Sequence, residues 1–292
     1  GLVHEIAPQG EIHEKARAWI AAGNKGLAPW DDPKFKPPSG RVYSPTGMMI
    51  WPAANAIYRR ETQDNYPAAK AILHAAFEGL QLPMDLALRV ESRWFAHILG
   101  TPEARAMIRS LFVSMQALNK GTRRPQAIAP QSFKRIGIIG AGFMGAGIAT
   151  VAALAAMDVV LIDRDEESAM KGKASADKTI SSRVAKGRAT EAEREAFLAR
   201  IKPTADYSML ASCDLVIEAV FEDPRVKDET IRKAEAAMGS KTIFASNTST
   251  IPISDLANSF SRRKDFIGIH FFSPVDRMML VEIIKGKETG PD

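Results

Sequence analysis

A short apolar run that stops on a glycine-rich turn constrains this chain more than any other feature. It lies between Lys134 and Asp163, KRIGIIGAGFMGAGIATVAALAAMDVVLID. Ile136 to Ile139 reads as a strand buried on both faces of a parallel sheet. Gly140-Ala141-Gly142-Phe143-Met144-Gly145 follows at once, a G-x-G-x-x-G turn lined by Phe143 and Met144. A small-residue helix over Ala146 to Ala156 and a second strand over Val159 to Ile162 come next, ending in Asp163. Each glycine has its own work. Gly140 makes the tight turn, Gly142 lets backbone approach a pyrophosphate, and Gly145 lets the helix close on the strand. The helix start offers free N–H groups and the positive end of its dipole to phosphates. Asp163 stands at the second strand tip, where a carboxylate can accept both ribose hydroxyls. A lone G-x-G-x-x-G is often an ordinary turn, but here strand, helix and acid agree on a dinucleotide site. Asp163 would repel a 2′-phosphate, which favours NAD over NADP; Arg164 beside it argues the other way.

At 292 residues there is chain enough for one large domain or two ordinary ones. A net charge of +5 suits anionic small ligands, and no dense Lys/Arg run interleaved with aromatics points to nucleic acid. The single cysteine, Cys213, excludes an internal disulfide, is compatible with a reducing compartment and reads as a buried structural thiol. The longest apolar run, Val151 to Ile162, is short and carries Asp158, so no membrane span or signal peptide is expected. No spacing of metal ligands appears. The absence of an initial methionine before Gly1 suggests a fragment or a processed product.

Upstream of the glycine turn, GLVHEIAP reads as a short strand and Glu14 to Ala22 as a helix. Pro29 to Pro52 is expected to be an irregular connector, on its Pro, Gly and Ser content. Residues 53–119 are expected to be helical throughout. Ala68, Ile72, Ala75 and Ala76 form one apolar face, and Leu86, Val90, Trp94, His97 and Ile98 another. Thr101 is the expected N-cap before Pro102, leading to Ala106, Ile108, Leu111, Phe112 and Met115. His74 and His97 read as packed helix residues, and His4 and His13 have no partner pattern. The basic stretch Asn119 to Ser132 is the expected domain boundary.

Beyond the turn, two helices broken near Gly187 span Asp165 to Ala199, and their Lys171, Lys173, Lys178, Arg183, Lys186 and Arg188 suit either a solvated or an anion-binding face. Strands are expected at Asp214 to Val220, Thr242 to Ala245, Phe266 to His270 and Leu280 to Ile284, with helices at Pro224 to Met238 and Ile253 to Ala257. The alternation is that of an α/β, Rossmann-type doubly wound sheet, whose ligands sit beyond the carboxyl ends of the strands. Ala219, Glu222, Asn247, Ser249 and His270 all fall at such ends. His270 alone could be a satisfied core histidine. Glu282, twelve residues on, could lie beside it and make it a better base by fixing its tautomer and raising its pKa.

The segments GAGFMGAGIA, LVIEAVFED, FASNTSTIPI and HFFSPVDRMMLVEII resemble the NAD-binding domain of L-3-hydroxyacyl-CoA dehydrogenases. GLVHEIAP is similar to the end of a crotonase-fold enoyl-CoA hydratase domain. NYPAAKAIL and ESRWFAHILGTPEARAMIRSLFV resemble the helical linker of the multifunctional fatty-acid oxidation family, in which both activities share a chain. The resemblance implies a hydratase tail over 1–28, an all-helical linker over 29–130 and an NAD-binding domain over 131–292. It also implies that the chain stops before the helical domain that completes the substrate pocket and builds the dimer. By position it makes His270 the base, Glu282 its acidic partner and Ser249 the residue bonding the substrate hydroxyl. It places Asn247 near the nicotinamide, Glu222 and Lys227 near the cofactor, and Asp163 on the adenosine ribose. Lys186 falls at a coenzyme A-contacting lysine and Thr179 replaces a serine there, which favours the anion-binding face. The expected activity is NAD-dependent oxidation of L-3-hydroxyacyl-CoA, with a thiolase subunit as partner and a bacterial-type cytoplasmic location ahead of mitochondrial or peroxisomal ones. The rivals are NAD binding without turnover and a Rossmann dehydrogenase of small 3-hydroxy acids.

Overall fold

The structure is a computed structural model describing residues 3, 5–24, 26–32, 34–37, 40–125, 127–129 and 131–291. Gly1, Leu2 and His4, part of the expected N-terminal strand, lie outside the described residues, and Val3 and Glu5 to Pro8 join no strand. Contacts divide the chain into two units, Gly1–Arg124 and Pro125–Asp292.

The first unit is helical: α1 (Ile12–Ala21), α2 (Pro45–Thr62), α3 (Pro67–Gly79), α4 (Met84–Leu99), α5 (Pro102–Met107) and α6 (Met115–Asn119), with a π-helical segment, Ile108–Ser114, joining the last two. Part of the expected irregular connector is therefore helix. Its density of Pro and Gly hid two start signals: Ser44 Oγ accepts the Gly47 N–H at 3.2 Å, and Pro45 occupies the first helical position. Thr101 caps α5 in the expected way, accepting the Ala104 N–H. The inward face of α3 also differs from expectation. It runs through Ala71, Ala75 and Gly79, whereas Ile72 is 68% exposed. Gly79 sets this, because a Cβ there would stand 3.3 Å from Ala87 Cβ on α4, so the helices approach along the glycine row. On α4, Ala87 takes the inward place expected of Leu86, while Val90, Trp94 and Ile98 turn inward. His74 and His97 pack on the Trp94 ring, at centroid distances of 4.9 and 5.9 Å.

The second unit is a seven-stranded sheet. Its elements are β1 (Arg135–Ile139), α7 (Phe143–Leu154), β2 (Asp158–Ile162), α8 (Glu166–Ala185), α9 (Glu191–Arg200), β3 (Ile201–Thr204), β4 (Leu215–Glu218), α10 (Pro224–Ala237), β5 (Ile243–Ser246), α11 (Ile253–Leu256), β6 (Phe266–Phe271) and β7 (Val281–Ile284). The strand order is β3-β2-β1-β4-β5-β6-β7, parallel except for β7, which pairs antiparallel with β6. β3 had no sequence signal, since Lys202 and Pro203 break the apolar pattern; proline is tolerated there because β3 is an edge strand. Alternate residues of the central strands feed two cores. Ile136, Ile138 and Leu161 pack with Ile148 and Phe197 on one face. Val160, Ile162 and Val216 pack with Phe244, Phe260 and Phe266 on the other. Burial on both faces is why these strands read as continuous apolar runs. The α8–α9 pair is tied by Arg194, whose guanidinium takes both Asp177 carboxylate oxygens at 2.8 and 2.9 Å.

Cys213 is buried, and desolvation pushes its thiol up to about 11. A thiol reagent at pH 8 should therefore modify it only as fast as the domain opens. Labelling at the rate of a free cysteine would contradict this placement.

Candidate functional site

The chain leaves β1 toward β2 and β3, then returns to β4 on the other side, so the strand order reverses between β1 and β4. Ligands of doubly wound sheets bind in the crevice opened by such a reversal. The glycine turn fills its floor. Gly140 has φ +98°, and a Cβ there would meet the Ala219 carbonyl oxygen at 2.6 Å. Ala219 in turn donates its N–H to the Ile139 carbonyl at 2.7 Å. A Cβ on Gly145 would stand 1.7 Å from the Gly140 carbonyl oxygen, so helix and turn close only around hydrogen. At Gly142 nothing lies within 4 Å of the same construction. That open side sits over the start of α7, where Gly142 is the N-cap and the first N–H groups have no helical acceptor. This cradle fits a pyrophosphate. Phe143 beside it is 72% exposed, and Met144 turns in against the core.

Asp163 has a structural task at this edge. Its Oδ2 accepts the Ala141 N–H at 2.6 Å and its Oδ1 the Arg164 N–H at 2.8 Å, tying the tip of β2 to the glycine turn. The Arg164 guanidinium bends to Asp165 at 3.1 Å.

The ends of β4, β5 and β6 carry the polar cluster expected there. Glu222 Oε1 accepts the Thr248 hydroxyl, the Ser249 N–H at 2.9 Å and the Thr250 N–H at 3.2 Å. The Ser249 hydroxyl lies 3.4 Å from the same oxygen. Partial burial pushes the Glu222 carboxyl upward, but the Thr248 hydrogen bond, the Lys227 charge and the Ser249 amide outweigh it and bring it down to about 2. Asn247 Oδ1 accepts the Phe271 N–H at 2.9 Å, joining the ends of β5 and β6. Lys227, expected near the cofactor, lies just beneath this edge. Its side chain is 1% exposed, because its ammonium is held beneath the edge by Glu218 and Glu222.

His270 and Glu282 are directly opposed in the β6–β7 register, and His270 Nδ1 lies 2.8 Å from Glu282 Oε2. The side chains point to one face because cross-strand partners always do. The imidazole also contacts the Phe272 ring, at 4.6 Å between centroids. Asp163, the glycine turn, Glu222, Asn247 and His270 thus follow one another along the carboxyl edge from β2 to β6. Four strand steps of about 4.8 Å separate the ends of that line. Thr179 and Lys186 lie elsewhere, two turns apart on α8 and its C-cap, and no hydrogen bond or ion pair among the described residues joins them to the sheet-edge cluster. Reading the sequence missed Glu218, Ser246, Thr248 and Thr250. The available signal was an acid closing an otherwise apolar strand, Leu215-Val216-Ile217-Glu218.

Residues 135–292 match the family described as 3-hydroxyacyl-CoA dehydrogenase, NAD binding domain. The fatty acid oxidation complex subunit alpha of Pseudomonas syringae is 37% identical over 245 residues, 84% of this chain and 34% of that protein. The subunit of the same name from Shewanella amazonensis is 34% identical over 298 residues, all of this chain and 41% of its own length. The chain therefore spans well under half the length of these curated relatives. Among solved structures, (S)-3-hydroxybutyryl-CoA dehydrogenase from Ralstonia eutropha superposes with a TM-score of 0.53 at 40% identity, covering 55% of this chain and 56% of that one. Fold, glycine cradle and matched segment agree: the chain belongs to the 3-hydroxyacyl-CoA dehydrogenase family, through its NAD-binding domain.

Proposed function

We propose that this chain forms the cofactor-binding half of an NAD-dependent dehydrogenase that oxidises L-3-hydroxyacyl-CoA to 3-ketoacyl-CoA in fatty-acid β-oxidation. The observation that carries the reading is the His270–Glu282 pair, 2.8 Å apart, on the same sheet edge as the glycine cradle. Gly140, Gly142 and Gly145 shape the pyrophosphate site, with Phe143, Met144 and Ala219 around it. Asp163 takes the adenosine ribose, and Glu222 and Asn247 border the nicotinamide end. When bound, NAD supplies the hydride acceptor for C3 of the substrate. Glu282 holds the Nδ1–H of His270, which leaves Nε2 free to accept the proton of the 3-hydroxyl. Ser249 orients that hydroxyl, and the cationic α8 face with Thr179 and Lys186 receives the coenzyme A moiety.

Residues 1–28 are proposed as the end of a crotonase-fold hydratase domain, 29–130 as the helical linker and 131–292 as the dehydrogenase cofactor domain. A thiolase subunit and a cytoplasmic location complete the proposal, supported by relatives named as subunits of a fatty acid oxidation complex. No helix among the described residues is long and apolar enough to cross a membrane. A second reading, NAD binding without turnover by these residues alone, is favoured by the Glu282 side chain, which is 48% exposed where it meets His270.

The full-length protein should reduce NAD with 3-hydroxyacyl-CoA thioesters and ignore the free 3-hydroxy acids, followed at the reduced-nicotinamide absorbance. Equal rates on thioester and free acid would replace this reading with that of a small hydroxy-acid dehydrogenase. Asp163→Ala should weaken NAD roughly tenfold, about 1.4 kcal/mol, and relax the discrimination against NADP. Unchanged NAD affinity in a titration would remove Asp163 from the site.

A further inference from the structure

The loop bearing Ser249 is wound around a carboxylate that is gripped from below by a fully buried ion pair. Lys227 and Glu218 are 1% and 0% exposed. The Lys227 ammonium donates to both Glu218 oxygens at 2.9 Å and lies 3.2 Å from Glu222 Oε2. Glu218 also accepts the Ser246 hydroxyl and the Val220 N–H, and the Ser246 oxygen accepts the Thr248 N–H at 3.2 Å. Every charge in this stack is satisfied, and two routes through it, by Glu222 and by Ser246, lead to the same loop.

Stability is a poor reason for the arrangement. A buried ion pair is weak as a stabiliser, because desolvation offsets the attraction. Lys227 also sits in the opening turn of α10, where the helix dipole disfavours a cation. A neutral pair of the same volume would fill the space. What it could not supply is a cation beneath Glu222.

We infer that Lys227 and Glu218 are positioning residues: their ion pair fixes Glu222 and, through its Oε1, holds Ser249 in place for the substrate hydroxyl opposite His270. The inference rests on the functional reading above for the role of Ser249, and on the hydrogen bonds alone for the clamp.

The test uses the full-length enzyme carrying Glu218→Gln together with Lys227→Met. The double substitution leaves no unpaired buried charge; the Gln carbonyl keeps an acceptor for the Val220 N–H and its NH2 can donate to Ser246 Oγ, so the fold should melt within about 5 °C of wild type. A purely structural pair would be rescued by that neutralisation. A positioning pair would not: kcat should fall roughly 10²-fold, with KM for the thioester within about threefold. The Ser249 and Thr250 amides should exchange with solvent at least about tenfold faster in the absence of NAD, with the rest of the sheet unchanged. A folded double variant that keeps kcat within twofold, or whose Ser249 and Thr250 amides exchange at the wild-type rate, would overturn the clamp. Should the double variant fail to fold, Glu222→Gln breaks the same link from the half-exposed side and must show the same faster exchange. Exchange needs no substrate, so it decides the clamp even where the wild-type protein oxidises no thioester, a result that would defeat the functional reading alone.

Discussion

Replacing His270 with Gln should lower turnover of the full-length enzyme by roughly 10²- to 10⁴-fold, the usual contribution of a positioned general base. The effect belongs to one ring atom. Nδ1 is committed to Glu282 at 2.8 Å, so Nε2 is the only nitrogen left to receive a proton. A glutamine side chain can still meet Glu282 with its amide, but it offers no basic nitrogen at neutral pH. NAD affinity should stay within about twofold, since the imidazole lies on β6, across β4 and β5 from the glycine turn. Titration with NAD and steady-state kinetics on one thioester separate the two quantities. A variant that retained turnover within twofold would transfer the base role to another group and leave the His270–Glu282 pair as a strand-end packing contact. Glu282→Gln should cost less, because it disturbs the tautomer and aim of the ring without removing the base.

The difference between what was legible in this sequence and what was not follows from the range of the interactions. The β1–α7–β2 unit is encoded locally: Gly140, Gly142 and Gly145 answer to backbone constraints within a few residues, and Asp163 closes the same unit. Its elements and the backbone constraints on its glycines could be read directly. The His270–Glu282 pair was also accessible, because the two strands follow one another in sequence with only nine residues between them, close enough for the twelve-residue spacing to suggest a pair. The buried stack was not. Glu218, Lys227 and Ser246 come from β4, α10 and β5, and only the sheet order brings them together. The resemblance put Lys227 near the cofactor, but nothing local shows that its ammonium turns inward to Glu218. The α3 face failed for a similar reason. Apolarity pointed to Ile72, but close approach at Gly79 decided the contact. β3 escaped because its pairing with β2 outweighs the poor strand propensity of Lys202 and Pro203.

The glycine turn yields the second large effect, and it comes as a pair of opposites. Gly142→Ala should leave stability within about 0.5 kcal/mol of wild type, because its φ of −67° is open to any residue and a Cβ there meets nothing within 4 Å. That vacancy is where the pyrophosphate must approach, so the added methyl should weaken NAD at least tenfold, about 1.4 kcal/mol or more. Gly145→Ala should fail differently. Its Cβ would be driven to 1.7 Å from the Gly140 carbonyl oxygen, which belongs to backbone and cannot rotate away. Either α7 lifts from β1 or the turn opens, at a cost of roughly 1–3 kcal/mol or more for an overpacked core, and the cradle is lost with it. Thermal melting without cofactor, beside NAD titration of each variant, distinguishes the two. If Gly142→Ala bound NAD as wild type does, the phosphates would have to lie off the helix start, and the assignment of this edge as the cofactor site would fall. Loss of stability in Gly145→Ala alone would not restore it, because that glycine is required by the closure of the helix on the strand whether or not a dinucleotide ever sits above it.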